Sequence, residues 1–347
     1  MTSAIIKNGS SFIKQKRSLG EDVKIPKSFF NPENMDFASP VNISKQMKAD
    51  LYIEETDGIL RFKKVEIKTE ISGFSYFLDG TEKKKIIFYY RSIPIIYGCV
   101  GAAILKRTDK KLHSTGMEKF SENFYLPLKT SSDSPEHYFE HNEIKELGKN
   151  FINLGEEDKT GKYPVLPAEF IQAAHAKIQT QRGDIEKQLA QEWLDSKHKD
   201  GWLFVDGRIE GKLSGENLAG IIKSHQACYF DNYEDQYKIY TMEKGQRSSV
   251  FQPENENGKK ENIYTWYLRL HYDKRSGVND FGIIRVEIPA KKELISKVDE
   301  ISSWILLETK PVGFPASRWD RMIYPIKYCE DYLKSKAPTW TMIESLS

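Results

Sequence analysis

The sequence predicts an α/β protein. Its core is a mixed sheet, formed by a three-stranded meander, a crossover helix and a parallel strand. Further helices pack on that sheet, and a β-rich insertion interrupts it. Three observations carry this expectation. Short apolar or alternating runs bounded by turn residues fill the stretch from Leu60 to Leu105. A long segment with apolar residues at helical spacing follows, from Pro167 to about Lys197. After it comes Trp202-Leu-Phe-Val-Asp206-Gly207, an apolar run ending in a carboxylate and a glycine. Strand, helix and strand in this order close as a right-handed crossover, which sets the Asp206 strand parallel to and beside an earlier one.

The chain has 347 residues with 39% hydrophobic content, enough for one large domain or two ordinary ones. Charged residues make up 29% but the net charge is only +2, so a nucleic-acid surface has to be a local patch. Cys99, Cys228 and Cys329 are far apart, have no zinc spacing and suit a reducing compartment. No apolar run reaches membrane-spanning length, and the N-terminus lacks the apolar core of a signal peptide. The expected location is the cytoplasm, with no membrane partner.

Residues 1–45 are polar, with Lys7, Lys14, Lys16, Arg17, Lys24 and Lys27 scattered along them. They read as a loosely ordered basic arm, the alternative being an arm that binds a partner or DNA. The main domain spans residues 46–340. Leu60–Ile67 alternates by two, and the meander is placed on Phe74–Asp79, Lys85–Tyr90 and Ile95–Leu105. Turns are expected at Gly80-Thr-Glu and Arg91-Ser-Ile-Pro94. The third run could also be a buried helix, but Pro94, Gly98 and Gly101 favour a strand. Residues 108–162 read as an irregular insertion. His137 and His141 share a helical spacing there, but the residues between them lack a metalloprotease pattern, so no zinc site is expected. In the long helix, Phe170, Ala174, Ile178, Ile185, Leu189 and Trp193 form the inward stripe, and Glu186 stands one turn after Arg182. Leu218–His225 is a further expected strand. Residues 226–290 form the second, β-rich insertion, with paired strands at Tyr264–Tyr272 and Phe281–Ile288 around a turn at Ser276–Asp280. An amphipathic helix covers 291–310, and Pro325 opens the last helix, which carries Glu330 and Asp331.

The pattern of a strand ending in Asp-Gly occurs twice, at Asp79-Gly80 and at Asp206-Gly207. Asp-Gly is a common turn dipeptide. Two such strands side by side, with Glu186 on the crossover helix above them, instead gather carboxylates at one sheet edge. Carboxylates so placed bind hard divalent cations, and two such ions clamp a scissile phosphodiester. The candidate ligands are therefore Asp79, Glu186, Asp206 and an acid of the last helix, Glu330 or Asp331. Lys223, Arg247, Arg269 and Arg285 are the candidate phosphate contacts, although Arg269 and Arg285 could equally be outward faces of strands. No phosphate-binding Gly-rich loop and no Gly-x-Ser-x-Gly elbow occurs. The meander, helix and parallel strand match the order in RNase H-like nucleases.

The chain also resembles the NurA nucleases, RNase H-like partners of the HerA DNA-translocating ATPase. The resemblance runs over residues 70–335. It is carried by Phe77-Leu-Asp79-Gly80, Ile93-Pro94, the Ala102-Ala103 strand ending at Arg107, and Arg182-Gly-Asp-Ile-Glu186. It continues through Leu203-Phe-Val-Asp206-Gly207, Gly220-Ile-Ile-Lys223-Ser, Arg247-Ser-Ser, Tyr267-Leu-Arg269-Leu, Arg285-Val-Glu287-Ile-Pro and Tyr324-Pro325. It implies a manganese- or magnesium-dependent DNA nuclease with two ions, acting on single strands and duplex ends. It also implies a dimer or higher oligomer docked on a HerA-type hexameric ATPase, in repair or anti-phage defence. By this resemblance Asp79 and Asp206 match the sheet aspartates and Glu186 the helix glutamate. The family often has a His in its last helix, whereas this chain has none after His271. Arg208 replaces the usual small residue after Gly207, and the N-terminal arm has no counterpart. The rival expectations are a catalytically inactive DNA-binding or assembly subunit, and a guide-using Argonaute-like RNase H domain.

Overall fold

The computed structural model describes residues 4–24, 59–157, 161–196, 200–209, 213, 215–223, 229, 233–254, 257–272, 280–310 and 319–344. The elements in chain order are helix α1 (Ala4–Ser18), strands β1 (Val23–Lys24), β2 (Phe62–Lys64), β3 (Phe74–Tyr90), β4 (Ile93–Thr108), β5 (Lys111–Leu126) and β6 (Phe151–Asn153), and helix α2 (Pro167–Asp195). They continue with β7 (Trp202–Asp206), β8 (Leu218–Ile222), α3 (Tyr233–Tyr240), β9 (Gln246–Ser248), β10 (Ile263–Arg269) and β11 (Ile283–Pro289). Four helices follow: α4 (Lys292–Ile295), α5 (Val298–Glu308), α6 (Tyr324–Lys336) and α7 (Trp340–Glu344).

All described strands join one mixed sheet, ordered β2-β9-β10-β11-β8-β7-β3-β4-β5-β6, with β1 pairing β3 off this path. β3, β4 and β5 form the antiparallel meander, and β7 lies parallel to both β3 and β8. The α/β class and the crossover through α2 therefore stand as expected. No described helix is long and apolar enough to cross a membrane.

The boundaries differ from expectation in three places. Phe74–Tyr90 is one strand, so Gly80-Thr-Glu is no turn and Asp79 lies in mid-strand. The polar run Glu82–Lys85 resembles a connection in sequence, yet each charge finds a partner. Lys84 pairs with Glu82, Lys83 donates to the Pro338 carbonyl, and Lys85 pairs with Glu344. The third meander strand is β5, inside the stretch read as an irregular insertion. Its hairpin turns at Asp109 and Lys110, both at positive φ like Arg91 and Ser92 in the preceding turn. Two-residue turns of this hand fit the twist of paired strands, and here they are taken by Arg-Ser and Asp-Lys with no glycine. The second stretch read as an insertion, 226–290, supplies β9, β10 and β11 to the same sheet. The paired strands expected there are β10 and β11, in antiparallel register from Ile263↔Pro289 to Arg269↔Ile283. Most of their expected turn lies outside the described residues.

The arm also departs from expectation. Residues 4–18 form α1, which buries Ile5, Ile6, Phe12 and Ile13. The Phe12 ring lies 5.7 Å from those of both Phe88 and Tyr90 on β3. Full burial of one such ring contributes about 2–3 kcal/mol, which outweighs the scattered lysines on the outer face. Residues 25–45 of the expected arm lie outside the described residues.

The α2 stripe is buried at Phe170, Ala174, Ile178, Leu189 and Trp193, with Ile185 partly buried. It covers one face of the meander. Ile301 and Ile305 of α5, and Ile326 and Cys329 of α6, pack in another cluster with β10 and β11. The amphipathic helix expected over 291–310 is two helices, α4 and α5, divided at Ser296 and Lys297.

Candidate functional site

The site lies where a short parallel strand stops and its long neighbour continues. The β3–β7 pairing ends at Leu78↔Val205, so Asp79 and Asp206 are the next residues on adjacent parallel strands. Crevices at the carboxyl ends of parallel strands are the common ligand sites of α/β sheets. Gly207, at φ 131°, lets the chain turn away directly after Asp206. Gly220 on β8 lies under that turn, where a Cβ would stand 2.7 Å from the Gly207 carbonyl oxygen.

Successive residues of a strand face opposite sides of the sheet. Asp79 and Gly80 therefore serve different walls of one cavity. Asp79 is nearly buried, and its Oδ1 accepts from the Gly80 N–H at 2.8 Å. On the other side Gly80 leaves room for α2 to press Glu186 onto the strand. A Cβ at position 80 would fall 1.9 Å from Glu186 Oε1. The cavity holds about 620 Å³ and is lined by Asp79, Glu82, Glu186, Asp206 and Glu330 among acids. Arg182, Lys223, Arg321, Lys327 and Lys334 are its bases.

The electrostatics mark the acids as mutually strained. Burial pushes the Asp79 carboxyl well above the usual carboxylate range, and Asp206 and Glu186 push it further while Lys223 opposes them. Burial likewise raises Glu186 to about 7, against the neighbouring Arg182 and with help from Asp206 and Glu82. Arg182 Nε lies 3.4 Å from Glu186 Oε1. Three buried polar atoms of lining residues make no hydrogen bond and are met only by longer ion pairs: Glu82 Oε2 with Arg182 at 3.6 Å, Arg182 Nε with Glu186 at 3.4 Å and Arg321 Nε with Asp320 at 3.3 Å. Carboxylates raised in this way in a cleft are characteristic of functional sites.

Of the predicted ligands, Asp79, Glu186, Asp206 and Glu330 share the cavity. Glu330 is held by Lys327 at 3.3 Å and by Lys334. Burial raises its carboxyl, but the two lysines outweigh burial and hold it below its usual value. Asp331 does not belong to the site. It is exposed, absent from the lining and paired with Lys327 at 2.8 Å, because one residue turns the side chain by about 100° on a helix.

Lys223 is the one predicted phosphate contact that reaches the cavity. Arg247, Arg269 and Arg285 are buried within the sheet and its packing. Arg247 Nε donates to Asp299 at 2.6 Å, Arg269 donates to the Tyr240 carbonyl, and Arg285 lies 2.8 Å from Glu287. All three side chains are covered by packing and held by these partners, so none faces DNA. Sequence reasoning missed Arg182, Arg321, Lys327 and Lys334 as cavity bases. The 327/330/334 spacing on one helix face was legible as a signal. Nothing local marks Arg321, which reaches the site from the turn before α6.

The acids are hard oxygen donors whose mutual repulsion a cation would relieve. Among the described residues, however, no group of three or more His, Cys, Asp or Glu side chains stands as a ready-made metal shell. Both Asp206 oxygens face the Lys223 ammonium, each at 2.8 Å. The donor chemistry therefore suits a divalent ion, while the two-ion cluster that the resemblance implies does not fit this arrangement. In comparisons by sequence, no family model and no curated protein matches the chain.

Proposed function

We propose that the chain is a divalent-cation-dependent DNA nuclease with an RNase H-like core. The observation that carries this reading is the convergence of Asp79, Glu186 and Asp206 on one cavity. They come from two adjacent parallel strands and the crossover helix, and Arg182, Lys223 and Arg321 stand beside them. The sheet order β5-β4-β3-β7-β8, with β7 parallel to β3, supports the RNase H-like assignment. A bound Mn2+ or Mg2+ would supply Lewis-acid activation of the attacking water. Asp79 and Glu186 are the residues that would hold the ion, Glu186 in exchange for its Arg182 pair. The bases around them neutralise and orient the DNA phosphate. The NurA resemblance adds a HerA-type hexameric ATPase as partner, an oligomeric form of this chain, and repair or anti-phage defence as the setting.

The test is cleavage of single- and double-stranded DNA in Mn2+ or Mg2+ by the wild type and by Asp79→Asn and Asp206→Asn. Both variants should fold and lose cleavage, and near wild-type activity in either refutes the site. The Lys223–Asp206 pair favours one second reading, an inactive DNA-binding or assembly subunit. DNA binding without cleavage, both alone and with the motor, would select it.

A further inference from the structure

We infer that Lys223 is the resident second cation of this cavity, so that the site takes one divalent ion per chain and not two. The inference rests on the nuclease reading and deepens it. Asp206 ends β7, and Lys223 directly follows β8 in the parallel register Asp206↔Ile221. Its Nζ therefore reaches back across the strand ends and stands 2.8 Å from each Asp206 oxygen. Both side chains are largely covered, at 21% and 23% exposed, so the pair belongs to the cavity wall. The lysine backbone is also held. Arg321 Nη1 donates to the Lys223 carbonyl, and Arg321 Nη2 donates to the Asp280 carbonyl at 2.6 Å.

A divalent ion bridged by Asp206 would need an oxygen at about 2.0–2.6 Å, on the side that the ammonium already faces. Two cations at that separation repel strongly in a partly dry cavity.

In hydrolysis, water adds to phosphorus, the bond from phosphorus to the leaving oxygen breaks, and the proton from water passes to solvent or to that oxygen. Lys223 keeps its proton throughout. Its charge meets the oxygen on which negative charge grows, the part a second ion plays elsewhere.

Calorimetric titration of the full chain with Mn2+ tests this, with cleavage measured in the same buffer. Wild type and Lys223→Arg should each bind one Mn2+. Lys223→Met, with its circular dichroism unchanged, should bind two. Its cleavage should fall about 100-fold at Mn2+ concentrations too low to fill the added site. Two Mn2+ in a wild type that cleaves DNA, or one in Lys223→Met, overturns the inference and leaves the nuclease reading standing. A wild type that binds no Mn2+ and cuts no DNA overturns both.

Discussion

Replacing Glu186 with Gln should stabilise the metal-free protein while abolishing cleavage. Burial, with Asp206 and Glu82 nearby, raises the Glu186 carboxyl to about 7 from its ordinary 4.5. Between these pH values the folded state holds a proton that the unfolded chain has released. Stability therefore falls as pH rises through this window, and the loss is complete above about pH 7. At roughly 1.4 kcal/mol per pH unit the penalty is about 3 kcal/mol. The side chain is only 17% exposed, so solvent screens little of it. Gln carries no charge to desolvate. Urea denaturation in EDTA should then give wild type and Glu186→Gln nearly equal stability at about pH 4. At about pH 8 the variant should lead by about 3 kcal/mol. Asp79 is raised in the same sense in both proteins and largely cancels from the difference. A gap that stays constant with pH, or a wild type more stable at pH 8, would refute the strained-carboxylate account.

Three further outcomes follow from the geometry. Gly80→Ala places a Cβ 1.9 Å from Glu186 Oε1, so it should displace the Glu186 carboxylate and cut cleavage sharply, while a denaturant melt shows a cost of less than about 1 kcal/mol because only the end of a flexible side chain has to move. Glu330→Gln should slow cleavage and Asp331→Asn should leave it unchanged, since only Glu330 lines the cavity; equal rates would remove Glu330 from the site. Arg285→Ala should destabilise by about 1–3 kcal/mol in the same melts, because it removes the nearer cationic partner of the fully buried Glu287 and leaves it Arg208 at 3.6 Å and the Ile209 N–H, whereas a phosphate contact would instead weaken DNA binding with stability intact.

The sequence by itself determined the α/β class, the crossover helix over 167–195 and the strand ending at Asp206. Each depends on periodicity and on nearby turn residues, which act over a few positions. It also marked out Asp79 and Asp206, because a carboxylate after an apolar run is a local pattern, and Glu186 by its place on the helix between those two strands. It could not show that β3 runs on past Asp79. The charges at 82–85 look like a connection until Pro338 and Glu344, from the far end of the chain, arrive to pair with them. Arg247, Arg269 and Arg285 look available to DNA until neighbouring strands and helices cover both faces of their sheet. The Lys223–Asp206 pair and the arrival of Arg321 belong to the tertiary structure alone. An alternating pattern says which residues share a face, but only the packed chain decides which distant charge comes to meet them there.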